Sequence, residues 1–281
     1  MSKSPDQIET YAAEEDEMDL SPLGLGSGDA VAAPTEDALM GGRVRLLQPA
    51  RGYRAGMDAA LLAAACDLAP GERGLEAGCG AGAVIFQAAA RRPQSHWVGV
   101  ERDEAALELA QANLSLNGVA DRVRVRRGDV GRGFAGQGFL ERGEPPFDLA
   151  VANPPFFDDP AALRPPSPEK RSAWMADAGL DAWTRFLLKA VRDGGRVMLI
   201  HRAERLFDVL ALLAAGAGSF QVRPVHPFAD QPAKRVLVRA TKTGRAPFRL
   251  LPPLVLHDRS GEKHTRQAEA ILRGEAALDW L

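Results

Sequence analysis

Between residues 71 and 242 the chain alternates between short apolar runs and amphipathic stretches. The apolar runs, such as HWVGVE (96–101) and FDLAVA (147–152), have the length of strands buried on both faces. The stretches between them, such as residues 103–118, have the length and ends of helices. Because strands and helices that alternate over short connections form right-handed crossovers, this order predicts an α/β fold with a doubly wound, mostly parallel sheet.

The last two strands of this region depart from the alternation. FQVRPV (220–225) and KRVLVRAT (234–241) follow each other with no helical pattern between them, so we expect an antiparallel pair. A helix with Asp58 near its start is predicted before the sheet, and a short helix, TRQAEAILRG, after it. Residues 41–281 contain no convincing linker and are expected to form a single domain.

Charge is distributed unevenly along the chain. Its 281 residues carry 35 Lys and Arg against 37 Asp and Glu, a formal net charge of −2. Ten of the acids and one lysine lie in residues 1–40, which leaves a charge of about +7 on residues 41–281. The acidic leader, residues 1–40, lacks periodicity and is expected to be disordered. The basic remainder suits a polyanion such as nucleic acid.

Several classes of protein do not fit this composition. No apolar run is long enough to span a bilayer, and residues 1–20 lack the apolar core of a signal peptide. Cys66 and Cys79 are the only cysteines, and the five histidines show no metal-ligand spacing. We therefore expect a cytoplasmic protein with no membrane partner and no metal.

A glycine-rich loop, LEAGCGAG (75–82), joins the first strand of the alternation to the next helix. Its glycines allow a ligand to approach the backbone, and the start of the helix offers free amides. Gly78, Gly80 and Ala83 also fit the dinucleotide pattern, so a nicotinamide-dependent oxidoreductase is an alternative. Glu76 instead favours a ligand with a cationic amino-acid end, because a dinucleotide site usually has an apolar residue there.

Two further acids end neighbouring strands. Glu101 ends the second strand, where a carboxylate can accept hydrogen bonds from both ribose hydroxyls. Asp129 ends the third, where it can accept one from an adenine amino group. Together with the loop, these acids outline a pocket for an adenosine.

The fourth strand ends in VANPPFFDDP (151–160). Proline lacks an amide hydrogen and fixes its own φ, so Pro154 and Pro155 end the strand and stiffen the segment after it. One interpretation is a strand terminator. The other is a rigid shelf at the carboxyl edge of the sheet, where open α/β sheets bind ligands.

Glu-x-Gly-x-Gly-x-Gly, Glu101, Gly128-Asp129 and Asn-Pro-Pro-Phe, in this order, resemble a class I S-adenosylmethionine-dependent methyltransferase. The resemblance covers residues 71–241 and implies a Rossmann-like sheet of seven strands with the last one antiparallel. It implies a catalytic shelf that grips a planar nitrogen, formed by Asn153, Pro154, Pro155 and Phe156. It also implies a site for S-adenosylmethionine, formed by Asp58, Glu76, Gly78, Cys79, Gly80, Gly82, Glu101, Arg102, Asp129, Val130 and Asn153.

The flanking segments QPARGYRAGMDAALLAA and PAKRVLVRA resemble the bacterial valine-tRNA adenine-N6 methyltransferase group. This narrower resemblance implies methyl transfer to adenine N6 of a structured RNA, with tRNA as the partner. Many members of the group have Tyr in place of Phe156 and Thr in place of Met57. Phe156 would stack on the base, and Lys170 and Arg171, on a predicted lid (163–174), would contact the RNA.

Besides the oxidoreductase, the sequence leaves three alternative functions open. The same tetrapeptide occurs in methyltransferases that act on guanine N2 of ribosomal RNA and in those that act on the glutamine amide of release factors. A catalytically silent RNA-binding protein on the same fold is the third.

Overall fold

The computed structural model describes residues 33–51, 54–134, 145–155 and 179–280. Its strands are β1 (Thr35–Leu39), β2 (Val44–Gln48), β3 (Arg73–Ala77), β4 (His96–Glu101), β5 (Val123–Arg127), β6 (Phe147–Ala152), β7 (Val191–Arg202), β8 (Ala217–His226), β9 (Arg235–Lys242), β10 (Arg249–Leu250) and β11 (Leu254–Val255). Its helices are α1 (Met57–Ala65), α2 (Ala83–Arg91), α3 (Glu104–Leu116), α4 (Leu180–Ala190), α5 (Leu206–Leu213) and α6 (Arg266–Leu272).

The main sheet confirms the predicted α/β class. Seven strands lie in the order β5-β4-β3-β6-β7-β9-β8, and β9 is antiparallel to both of its neighbours. β3, β4, β5, β6 and β7 run parallel. Both the parallel sheet and its antiparallel last strand are therefore as predicted.

The sheet has nine strands rather than the seven that the resemblance implies. The two additional strands, β10 and β11, have two residues each and pair in parallel with β8. Pro252 and Pro253 lie between them, and because proline cannot donate to a ladder, the segment cannot continue as one strand.

The boundary predicted for the acidic leader, residue 40, is corrected by the structure. Residues 35–39 form β1, which pairs with β2 in a separate antiparallel hairpin. The acids of this strand have partners further along the chain: Glu36 accepts from Arg45 at 2.6 Å, and Asp37 accepts from Gln48 at 2.6 Å. Arg54 also pairs with Asp37, at 2.5 Å, so both acids have a basic partner, and compensation of their charge allows an acidic stretch to form a strand. Residues 1–32 of the predicted leader lie outside the described residues.

Apolar side chains pack on both faces of the sheet. One face is covered by α1 and α2, with Trp97 fully buried among their alanines and leucines. The other is covered by α4 and α5, with Phe147 and Phe186 at its centre. No helix among the described residues is long and apolar enough to cross a membrane.

Candidate active site

The carboxyl ends of β3, β4 and β6 meet at one edge of the sheet. Ala77, the last residue of β3, is in register with Val100 of β4 on one side and with Ala152 of β6 on the other. The glycine loop, Glu101 and the shelf therefore leave adjacent strands, which are about 4.8 Å apart. The fold brings together the three motifs that the sequence analysis singled out.

The glycine loop turns back on the sheet through left-handed backbone conformations. The φ angles are +66° at Gly78, +54° at Gly80 and +97° at Gly82. A Cβ at Gly78 would lie 2.5 Å from the ring of Trp183, and one at Gly82 would overlap the ring of Phe86. Both glycines are therefore required by packing as well as by φ.

Gly80 differs from the other two glycines of the loop. A Cβ added at this position would meet no atom of the described residues within 4 Å. The loop is thus packed against protein at Gly78 and Gly82, whereas none of the described residues fills the space beside Gly80. This arrangement leaves a ligand room to approach the backbone, and it fits the cofactor that the sequence implies.

Glu101, the last residue of β4, is nearly buried and binds both the glycine loop and the two residues that lead into α3. One carboxylate oxygen accepts the amide of Gly80 at 2.8 Å, and the other accepts the amides of Arg102 and Asp103 at 2.8 and 2.9 Å. A carboxylate offers about four acceptor positions, so among the described residues one position on Oε2 is left for a ligand hydroxyl. This geometry leaves room for one of the two ribose contacts predicted for Glu101, and the carboxylate has a second function that was not predicted.

Glu76 lies in the interior of the sheet with 2% of its surface exposed. Its Oε2 accepts the amide of Ile85 at 2.9 Å, in the first turn of α2. Burial raises the pKa of Glu76 well above its ordinary value, and the charge of Glu101 raises it further. Burial also raises the pKa of the Cys79 thiol, with Glu76 and Glu101 contributing. Two buried or nearly buried carboxyl groups therefore lie beside the loop, which suits a cationic ligand group.

Asp129 follows β5 and begins a 3-10 turn, Val130–Arg132, whose Gly131 amide it binds at 2.8 Å. Its side chain is one-third exposed, whereas that of Val130 is buried on the α4 face. The structure thus places an acceptor and an apolar surface together at the end of β5, where the sequence analysis predicts the adenine.

The shelf follows β6 directly. Pro154 is buried, and Asn153 and Pro155 are partly buried, with the Asn153 side-chain oxygen inside the protein. Phe156, Lys170 and Arg171, the other residues predicted to act on the substrate, lie outside the described residues.

Asp58 has a protein partner. It lies in the first turn of α1 and accepts a hydrogen bond from Arg235 Nε at 2.8 Å. Arg235 begins β9, which is antiparallel and so starts at the carboxyl edge of the sheet. The ion pair places Asp58 at the edge that carries the site, and its contact with the cofactor stays a prediction.

Two residues near the loop were missed by the sequence analysis. Trp183 of α4 packs on Gly78, and the Asn113 side chain of α3 donates to the carbonyl of Ala81 at 3.0 Å. Both partners are distant in sequence, and a Trp or Asn within an amphipathic helix carries no signal of its own.

Substitution of Glu101 tests the double function of this carboxylate. We expect Glu101→Ala to weaken binding of S-adenosylhomocysteine more than Asp129→Ala does. Asp129→Ala removes one acceptor, which costs about 1–3 kcal/mol of binding free energy, whereas Glu101→Ala also leaves the partly buried Gly80 amide of the loop without its partner. Titration calorimetry on both variants measures the difference. Equal losses would show that Glu101 contributes only a ligand contact, and two parental affinities would show that the pocket is assigned wrongly.

The chain is similar to known methyltransferases. A family model described as a methyltransferase domain matches residues 68–208, half of the chain. The tRNA1(Val) (adenine(37)-N6)-methyltransferase of Yersinia pestis is 28% identical over 182 residues, which cover 64% of this chain and 70% of the relative.

Solved structures show the same fold. A crystal structure described as a predicted O-methyltransferase from Agrobacterium tumefaciens has a TM-score of 0.65 at 26% identity, and the match covers 79% of this chain and 98% of that one. A type I restriction-modification system methyltransferase subunit from Streptococcus thermophilus has a TM-score of 0.54 at 15% identity, with 81% and 54% covered. The chain belongs to the methyltransferase-domain family and is a class I S-adenosylmethionine-dependent methyltransferase.

Proposed function

We propose that this enzyme acts in the cytoplasm and methylates the exocyclic N6 amine of an adenine in a structured RNA, with tRNA as the substrate. The observation that carries the proposal is the position of Asn153-Pro154-Pro155 beside the glycine loop, set by the pairing of Ala77 with Ala152. A shelf at this point presents its acceptors to a nitrogen next to the methionine end of a cofactor held by the loop.

The chemistry of an adenine amine explains why a rigid shelf is needed. Its lone pair is delocalised into the ring, so the nitrogen is a poor nucleophile. The Asn153 side-chain oxygen and the Pro154 carbonyl would accept both amine hydrogens and favour a more pyramidal nitrogen. Because the prolines fix these acceptors, orientation entropy is lost before the reaction begins.

Bound S-adenosylmethionine would supply the methyl group on a sulfonium, whose leaving group is a neutral thioether. Asn153 and Pro154 would accept the two amine hydrogens and direct the proton that the nitrogen loses towards water, so no strong general base is required. Glu76 would hold the ammonium of the cofactor, Glu101 its ribose and Asp129 its adenine.

Two observations favour RNA as the substrate. The curated relative from Yersinia pestis is named for a tRNA adenine, and residues 41–281 carry a charge of about +7, which suits a polyanion.

The surface near the shelf adds a third observation in favour of RNA. Phe207 is 81% exposed in the first turn of α5, just beyond the carboxyl end of β7, the strand next to β6. An exposed ring at this edge offers a stacking surface to an unpaired base.

Phe207→Ala tests the nucleic-acid surface. We expect it to raise the KM for tRNA roughly five- to hundredfold, since a stacked base contributes about 1–3 kcal/mol, and to leave the KM for S-adenosylmethionine unchanged. Phe248→Ala is the matched control. Phe248 is 52% exposed, but it follows β9, which ends at the opposite edge of the sheet. Steady-state kinetics with varied tRNA measure both variants, and equal effects at the two positions would count against this surface.

Guanine N2 of ribosomal RNA and the glutamine amide of release factors remain alternative acceptors, because both present a conjugated NH₂ to the shelf. The family match favours a methyltransferase over the oxidoreductase alternative. Mass spectrometry of nucleosides and of release factors, in cells with and without this protein, separates the acceptors. We expect loss of N6-methyladenosine from tRNA. Loss of a methylated glutamine with unchanged RNA would overturn the proposal.

A further inference from the structure

The edge of β2 that faces away from β1 is bound by two asparagine side chains, one within α3 (Asn113) and one at its C-cap (Asn117). Asn113 accepts the Leu47 amide at 2.8 Å and donates to the Leu47 carbonyl at 3.0 Å. One helical turn later, Asn117 accepts the Arg45 amide at 2.9 Å and donates to its carbonyl at 2.7 Å. Four helical residues rise about 6 Å and two strand residues about 6.7 Å, so the two amides replace a neighbouring strand.

Asn113 makes one contact that Asn117 does not. Its Nδ2 also donates to the carbonyl of Ala81, in the glycine loop, at 3.0 Å. Asn113 is fully buried, and its three hydrogen bonds use both amide hydrogens and the oxygen. The side chain therefore binds the hairpin and the loop at the same time, and a change of its rotamer would break the hydrogen bond to the loop.

The Ala81 carbonyl lies at the point where the loop enters α2. Gly80 comes before it, with its amide held by Glu101, and Gly82 follows it as the N-cap of α2. Glu101 thus binds the amide of Gly80, and Asn113 binds the carbonyl of the next residue, Ala81. Both belong to one structural unit, because Glu101 lies two residues before Asp103, the N-cap of α3, and Asn113 lies within that helix.

We propose that Asn113 is a positioning residue for cofactor binding, which fixes the glycine loop to the N-terminal hairpin through α3. The hairpin leads through residues 48–56 into α1, where Gln48 accepts the Ala55 amide at 2.6 Å. The buried side-chain amide of Asn113 therefore connects the glycine loop, through the hairpin, to α1, the helix that carries Asp58. The inference holds for any methyl acceptor and does not depend on the RNA substrate.

Asn113→Ala and Asn117→Ala form a matched pair for the test. Both remove two hydrogen bonds to the β2 backbone, but Asn113→Ala also frees the Ala81 carbonyl. We expect Asn113→Ala to weaken S-adenosylhomocysteine binding at least about tenfold and to raise the KM for S-adenosylmethionine by a similar factor, with kcat at saturation nearly unchanged. Asn117→Ala should bind S-adenosylhomocysteine within about twofold of the parent. Parental affinity in Asn113→Ala, or an equal loss in Asn117→Ala, would overturn the proposal.

A second measurement applies if Asn113→Ala does not fold. Coupling between two sites is reciprocal, so cofactor binding should stabilise the contact between Asn113 and the hairpin. Hydrogen exchange of the parent protein should show slower exchange at the Leu47 amide when S-adenosylhomocysteine is added, together with slower exchange in residues 78–86. Protection of the loop with no change at Leu47 would contradict the coupling.

Discussion

Asn153→Ala should lower turnover about a hundredfold to a thousandfold while leaving the affinity for S-adenosylhomocysteine and the fold nearly intact. Asn153 would act mainly on the target nitrogen. Its loss should therefore raise the free energy of the transition state more than that of the ground state. Removal of one preorganised acceptor costs about 3–4 kcal/mol in comparable sites. Single-turnover rates at saturating cofactor measure the effect.

Two controls accompany this variant. Calorimetry with S-adenosylhomocysteine and thermal unfolding report whether the cofactor site and the core survive the substitution. An Asn153→Ala enzyme with parental turnover would show that the two prolines only end β6.

Glu76→Gln should weaken S-adenosylhomocysteine binding about tenfold to a hundredfold and should not destabilise the free protein. Hydrogen bonds to a charged partner contribute about 1.5–3 kcal/mol, and glutamine would lose the charge that faces the cofactor ammonium. Glutamine keeps an oxygen for the Ile85 amide. 5′-Methylthioadenosine, which lacks the amino-acid part, serves as the control ligand and should bind parent and variant alike. If the variant loses affinity for both ligands equally, Glu76 does not contact the ammonium.

The raised pKa of Glu76 also predicts a dependence on pH. Its folded-state pKa lies above the ordinary 4.5 because burial disfavours the charge. Such a group stabilises the folded protein below its ordinary pKa and loses that contribution as the pH rises through the folded pKa. The stability advantage of Glu76→Gln should therefore grow with pH from about 4.5 upward. In the parent, which must ionise to bind the ammonium, S-adenosylhomocysteine affinity should fall as the pH is lowered, and in the variant it should not. Melting curves and calorimetry between about pH 5 and pH 8 test both trends, and a flat affinity profile in the parent would contradict them.

The positions of Glu101 and Asp129 could be predicted because strand ends follow from local patterns. A short apolar run followed by a helix pattern fixes where a strand stops, and a parallel sheet brings those ends to one edge. Asn153 was predicted for the same reason, since Pro154 and Pro155 mark the end of β6.

Contacts between distant segments could not be predicted in this way. Asn113 meets Leu47 and Ala81 across 66 and 32 residues, and Asp58 meets Arg235 across 177. The hairpin was missed because its acids suggest disorder until their partners, Arg45 and Gln48, are placed in space. β10 and β11 are too short to show a period of two.

Turnover with isotope-labelled S-adenosylmethionine and unmodified tRNA tests the central claim most directly. After digestion of the tRNA to nucleosides, mass spectrometry identifies the nucleoside that carries the labelled methyl group. The structure and the proposed function predict label in N6-methyladenosine, lost in Asn153→Ala. Label in N2-methylguanosine, or no label in RNA when a release factor added to the same reaction is methylated on glutamine, would contradict the account.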